Sequence, residues 1–258
     1  MKKLLISVAL SFLVLFPLLA QEENEGPEPI ITDRPDQTEA STTVPKGFFQ
    51  IETGAMVEKD KVGGIETKEI TYNTTLIKYG LTDRFELRII QEFLATQVDG
   101  MRVSSGSGPL TLGTKIKMMD EHGIWPEMAL LGHMTYRTGN ADYKPSHVVP
   151  DFRFSMAHTL SDHLSLGYNL GAEWDGETAT ATGLYTLSLA IGLTDKLGIF
   201  LEVYGYMPDN SSADHRFDGG ITYRIGNNFQ FDVSGGVGLN DIAPDNFLSG
   251  GISWRLPR

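Results

Sequence analysis

The sequence predicts an all-β chain: a twelve-stranded antiparallel transmembrane β-barrel of the bacterial outer membrane. Three observations lead there. Apolar residues recur at every second position over runs such as 184–193 and 229–239, close to the about 9 to 11 residues that carry a tilted strand across a bilayer. A turn phrase returns as GLTDRFEL at 80–87, TLSDHLSL at 159–166 and GLTDKLGI at 192–199, which marks one structural device used repeatedly. Short turns alternate with longer polar loops along the chain, the asymmetry of a barrel with periplasmic turns and external loops.

The chain begins MKKLLISVALSFLVLFPLLA, with two lysines ahead of an apolar run that closes on Ala20. This predicts a secretory signal peptide over 1–20, cleaved after Ala20. A retained membrane helix fits less well, because the run is short, is broken by Pro17 and leads into QEENEG. The absence of cysteine excludes a lipid anchor, disulfides and thiolate metal sites. Hydrophobic residues make up 41% and the net charge is -12, which on composition alone describes an acidic exported soluble protein. A barrel escapes that test because its two faces average out.

Residues 21–45 are expected to form an acidic, proline-containing N-terminal segment. Seven acids stand against the single base Arg34, with prolines at 27, 29, 35 and 45, the composition of a disordered tail. The segment nevertheless runs straight into the first strand at Lys46, and its prolines stiffen it. Asp33, Arg34, Asp36 and Glu39 therefore become candidates for a periplasmic plug. Their acids are expected to pair with Arg224 and Arg255, and Arg34 with Asp36 or Glu52.

The barrel proper is assigned to 46–258. Alternation places strands at 46–58, 67–80, 84–96, 108–119, 125–137, 148–160, 163–174, 180–193, 196–207, 214–225, 228–239 and 245–256. Thr82-Asp83, Asp120 to Gly123, Ser161-Asp162, Thr194-Asp195 and Gly226-Asn227 fall at every second junction as tight periplasmic turns. The intervening stretches 59–66, 97–107, 138–147, 175–179, 208–213 and 240–244 read as external loops. An even strand count returns both ends to the periplasm, where first and last strands pair and leave no open edge in lipid. Tyr79, Phe85, Tyr223, Phe229 and Trp254 lie on the apolar face at periplasmic strand ends, as an interfacial girdle requires. A soluble β-sandwich would use the same alternation with the apolar face as its core.

If the apolar face meets lipid, the opposite face lines a lumen. It carries the acids Glu52, Glu58, Glu86, Glu92, Glu127, Asp151, Glu173, Glu202, Asp218 and Asp232. Its bases are Lys78, Arg88, Lys115, Lys117, Arg137, Arg153, Arg216, Arg224 and Arg255. Lys115 and Lys117 are expected to face Glu86, Arg88 and Glu92 on the preceding strand. Such charges must be hydrated or paired. Phe200, Tyr204 and Tyr206 flank Glu202 on one inward stripe, either as a slide for apolar solutes or as rings packed against an inserted segment.

The stretch ITDRPDQTEASTTVPKGFFQIE resembles the opening motif of the bacterial barrel family named for the MetA pathway of phenol degradation. The resemblance is most specific over Ile31 to Glu52 and extends through the hairpin pattern over the remaining chain. It implies an outer-membrane barrel that takes up small hydrophobic compounds, and it carries no catalytic residues. Many such barrels end on an aromatic residue recognised by the insertion machinery, whereas here Trp254 stands upstream of Arg255, Leu256, Pro257 and Arg258.

Other function classes fit poorly. An outer-membrane phospholipase needs His, Ser and Asn together on the lipid side, but His133 points inward and the outward His158 has no matching serine in its strand. The six histidines show no metal-site spacing, no glycine loop is placed to cradle a phosphate, and there is no basic patch for nucleic acid. The sequence therefore predicts no catalytic residue, metal or cofactor. The expected partners are outer-membrane lipid, the barrel-insertion machinery and an unidentified small solute. The leading expectation is a channel passing small apolar or aromatic solutes by diffusion, with a closed structural or surface-binding barrel second and a lipid hydrolase third.

Overall fold

A computed structural model describes residues 28–209 and 211–256. The signal-peptide stretch 1–20 lies outside the described residues. Thirteen strands follow in order: β1 (Phe49–Val62), β2 (Ile65–Thr82), β3 (Phe85–Val98), β4 (Met101–Ser107), β5 (Thr111–Met119), β6 (Glu127–Thr135), β7 (Val149–Ser161), β8 (Leu164–Glu173), β9 (Thr182–Gly192), β10 (Leu197–Pro208), β11 (Asp214–Ile225), β12 (Phe229–Gly238) and β13 (Asn246–Arg255). Each pairs antiparallel with its neighbours, and β1 closes on β13 in a register running from Gln50↔Arg255 to Lys59↔Asn246. Closure removes the edges that lipid could not solvate. No helix among the described residues is long and apolar enough to cross a membrane.

The thirteen strands fill twelve barrel positions. β5 pairs with the periplasmic part of β3 and β4 with its outer part, so the two form one stave interrupted at Gly108-Pro109-Leu110. Two expected loops are corrected here. Residues 59–66 and 97–107 are mostly strand, and the chain reverses only at Gly63-Gly64 and Asp99-Gly100. All four turn residues have positive φ, the geometry of the two-residue hairpin turns that match strand twist. The 14-residue β1 and 18-residue β2 thus exceed what a bilayer needs and continue outward as a ribbon. The remaining reversals lie where the alternation puts them, with His122 and Trp125 bridging inside the β5–β6 turn.

Burial excludes the sandwich alternative. Along β3, Glu86 and Arg88 are each 1% exposed, while Leu87 and Ile89, which alternate with them, are 40% and 44% exposed. A soluble sheet would bury the opposite set. Apolar side chains outside and charged ones inside require lipid around the wall and polar partners within it.

Candidate functional site

The lumen is defined by inward polar side chains, and residues 28–46 run among them. The segment enters beside the β11–β12 turn, where the Ile30 amide donates to the Asn227 carbonyl (2.8 Å) and Arg255, at the end of β13, donates to the Glu28 carbonyl (2.7 Å). It leaves at the β2–β3 turn, where Thr43 donates to the Asp83 carbonyl (2.9 Å). Between these points its polar groups reach β1 to β3, β5 to β10, β12 and β13, a circuit of the wall.

Asp33 sits at a knot of charge. Its carboxylate accepts from Lys78 (2.7 Å), Arg88 (3.0 Å) and Lys115 (2.9 Å), which come from three neighbouring barrel positions. Glu39 adds a second contact to Arg88 at 3.0 Å. The wall contributes Glu52, which accepts the Asp33 and Arg34 amides and pairs with Lys78, and Glu86, which pairs with Arg88 and accepts the Val44 amide. Three buried cations therefore meet only two wall carboxylates until the segment supplies Asp33 and Glu39. Burial opposes ionisation of Asp33, but Lys115, Lys78 and Arg88 together hold its carboxyl well below the usual aspartate range.

Arg34 points away from this knot. Its guanidinium pairs with Asp232 at 2.8 Å and donates to Ser249 at 3.2 Å. It lies over Gly54 and Gly251, where any Cβ would overlap the guanidinium; the two glycines leave a slot in the wall. The expected partners are corrected at this point: Asp33 binds neither Arg224 nor Arg255, and Arg34 pairs with neither Asp36 nor Glu52 through its side chain. Arg255 instead donates to the Asn227 and Glu28 carbonyls, and Arg224 to the Asp195 carbonyl. Both arginines sit at the rim, whereas Asp33 and Arg34 lie deeper in the barrel.

Beyond Arg34 the segment crosses to the opposite wall. Asp36 accepts from Ser188 (2.8 Å), the Gln37 amide donates to Glu202 (2.7 Å), and Thr38 donates to Glu202. The Glu39 amide donates to Asn169, which returns a bond to the Glu39 carbonyl. Ser41 then donates to Glu127 (2.6 Å). Thr38, Asn169, Thr186 and Ser188 were not among the expected site residues. For Asn169, Thr186 and Ser188 the signal is an uncharged polar side chain at an inward strand position.

The other expected lumen residues separate into groups. Lys117 lies towards the periplasmic end of β5, paired with Asp120 and Glu127, and so does not face Glu92, which accepts from Thr74. Arg137 is corrected: β6 ends at Thr135, and Arg137 is exposed on the following loop. Arg153 donates to the Gln37 carbonyl (3.2 Å). Arg216 pairs with Glu58 and Asp214 and lies over the rings of Tyr204 and Tyr206 at 5.9 and 5.5 Å. Phe200 is buried against Gly220. Asp218 is buried opposite Glu202. His133 lies 3.0 Å from Asp151 inside the barrel, while the outward His158 stacks on Tyr168. Among the described residues no group of His, Asp and Glu is placed to hold a metal ion.

The barrel fold matches that of known outer-membrane proteins. A family model described as "MetA-pathway of phenol degradation" matches residues 32–256. Among solved structures, an outer membrane channel from Pseudomonas putida F1 superposes with TM-score 0.67 at 14% identity, covering 84% of this chain and 98% of that one. The translocator domain of the autotransporter NalP from Neisseria meningitidis gives TM-score 0.52 at 14% identity, covering 83% and 90%. The KdgM porin gives 0.52 at 11%, covering 80% and 99%. At these identities the likeness is one of fold. No curated protein matches the chain in sequence.

Proposed function

Because the chain belongs to the MetA-pathway of phenol degradation family and has the fold of outer-membrane barrels, we propose that it is an outer-membrane channel passing small apolar or aromatic solutes by diffusion, with residues 28–45 as a periplasmic plug. One observation carries this reading: Lys78, Arg88 and Lys115 meet only the two wall carboxylates Glu52 and Glu86, and the segment supplies the anions that complete the set. A wall built for a permanently sealed core would satisfy its own charges, because leaving one partner of a buried pair uncompensated is costly. A detachable segment that completes the wall is a gate. The Tyr204 and Tyr206 rings beside Arg216 offer a mixed aromatic and cationic surface along the path. The solute class rests on these rings and on the family resemblance.

Location and function are tested together. The protein should fractionate with outer membranes and migrate differently on gels before and after boiling. Refolded into a planar bilayer, the full chain should give small conductance steps, and deletion of 21–40 behind an intact leader should enlarge them. Recovery as a soluble periplasmic protein refutes the location. The segment's dense bonding also favours a second reading, a closed barrel with a structural or surface-binding role; absence of current from both chains would establish that alternative.

A further inference from the structure

Three carboxylates lie in a row inside the barrel, and among the described residues no basic side chain pairs with them. Asp36 accepts from Ser188 on β9. Ser188 is the strand partner of Glu202 on β10, and Glu202 is the partner of Asp218 on β11. Glu202 is 1% exposed and takes its hydrogen bonds from the segment, through the Gln37 amide and the Thr38 hydroxyl. Asp218 is also 1% exposed, and neither of its carboxylate oxygens has a hydrogen-bond donor among the described residues.

The neighbouring charges are committed elsewhere. Arg34 is on Asp232 of β12, Arg216 of β11 is on Glu58 and Asp214, and Asp33 is on its three cations. Arg153 of β7 donates to the Gln37 carbonyl and lies within electrostatic reach of Asp151 and Glu173. From β9 only the hydroxyls of Thr186 and Ser188 face the row, and from β10 also the ring of Tyr204. Adjacent buried carboxylates without a counter-ion cannot all be ionised, because each charge raises the cost of the next.

We propose that Asp36, Glu202 and Asp218 form a shared-proton latch that holds the crown of the N-terminal segment against β9 and β10 and loosens it as pH rises. The latch rests on the plug reading and adds its regulation: Asp33 fixes the segment by charge, while Asp36 fixes it only when a proton is present. The Asp36 carboxyl is held well above the ordinary aspartate range, by burial first and by Glu202 next. A carboxyl raised in the docked state binds more protons docked than free. Docking through it is therefore strongest in acid and weakens as pH climbs from the free value towards the docked one.

The chain has no cysteine, so a nitroxide can be placed through Gln37→Cys alone. Its mobile fraction should rise about threefold or more between pH 6 and pH 10, and it should stay flat when Glu202→Gln and Asp218→Asn are added. In the unlabelled chain, Asp36→Asn should abolish any alkaline rise in conductance. Equal pH profiles with and without the two wall acids overturn the latch. So does restoration of the immobile signal at pH 10 by added calcium, which would make a bound cation the true neutraliser. A label freed without a rise in current keeps the latch and refutes the occlusion reading instead.

Discussion

Asp33→Asn changes one atom at the point where the segment is held most firmly. The side chain keeps its shape, and the amide oxygen still accepts from the Ala40 amide, as Oδ1 does now at 3.0 Å. The negative charge that meets Lys78, Arg88 and Lys115 at 2.7 to 3.0 Å is lost. Removing one partner of a buried ion pair costs about 3–5 kcal/mol, because the remaining charge stays buried and uncompensated. Here the penalty falls on docking, since an undocked segment already leaves those cations to Glu52 and Glu86. At about 1.4 kcal/mol per tenfold, the ratio of docked to undocked segment should fall by roughly two to four powers of ten. Single-channel recording should show a rise in open fraction, with the boiling-dependent gel shift unchanged. Adding Lys115→Met, which removes one surplus cation, should restore part of the docking, so the double variant should be less open than the sum of the singles implies. An Asp33→Asn channel with wild-type open fraction would refute the argument that the segment's charge completes the wall.

Acid should release the same anchor. With its docked pKa depressed, Asp33 contributes fully above its free value of about 3.9 and loses that contribution as pH falls through the lower docked value; docking through it should persist at pH 5 and fail in stronger acid, read as conductance against pH. Gly54→Leu or Gly251→Val should fill the slot beneath Arg34, displace its guanidinium from Asp232 and raise conductance without loss of heat-modifiability; a closed channel in both variants would mean that Arg34 is not needed for docking. Lys117→Glu, at the periplasmic end of the path and away from the Asp33 knot, should shift the reversal potential towards cations in a salt gradient, and an unchanged potential would place the solute path elsewhere.

The wall was legible because lipid enforces alternation: every outward position must be apolar, so period two survives from β5 to β13. Legibility failed where the chain leaves lipid. KDKVGGIETK at 59–68 reads as a polar loop because a ribbon in water needs no apolar face, although Gly63-Gly64 and Asp99-Gly100 were the turn dipeptides that mark hairpins. Arg137 was misplaced for the related reason that alternation beyond Thr135 continues by chance. In the segment, composition pointed to a tail, because its balancing charges lie far away in sequence, at Lys78, Arg88, Lys115 and Asp232. Which acid meets which base depended on how deep each residue sits, and strand periodicity carries no information on depth.

The segment enters at the β11–β12 turn and leaves at the β2–β3 turn, so both of its ends lie at the same mouth. It is tucked in as a bight and never threaded through. Biogenesis can therefore run in the simple order, with the cylinder zipped shut in the membrane by pairing of β1 with β13 and the slack then drawn up from below. No step requires a free end to find its way through a finished ring.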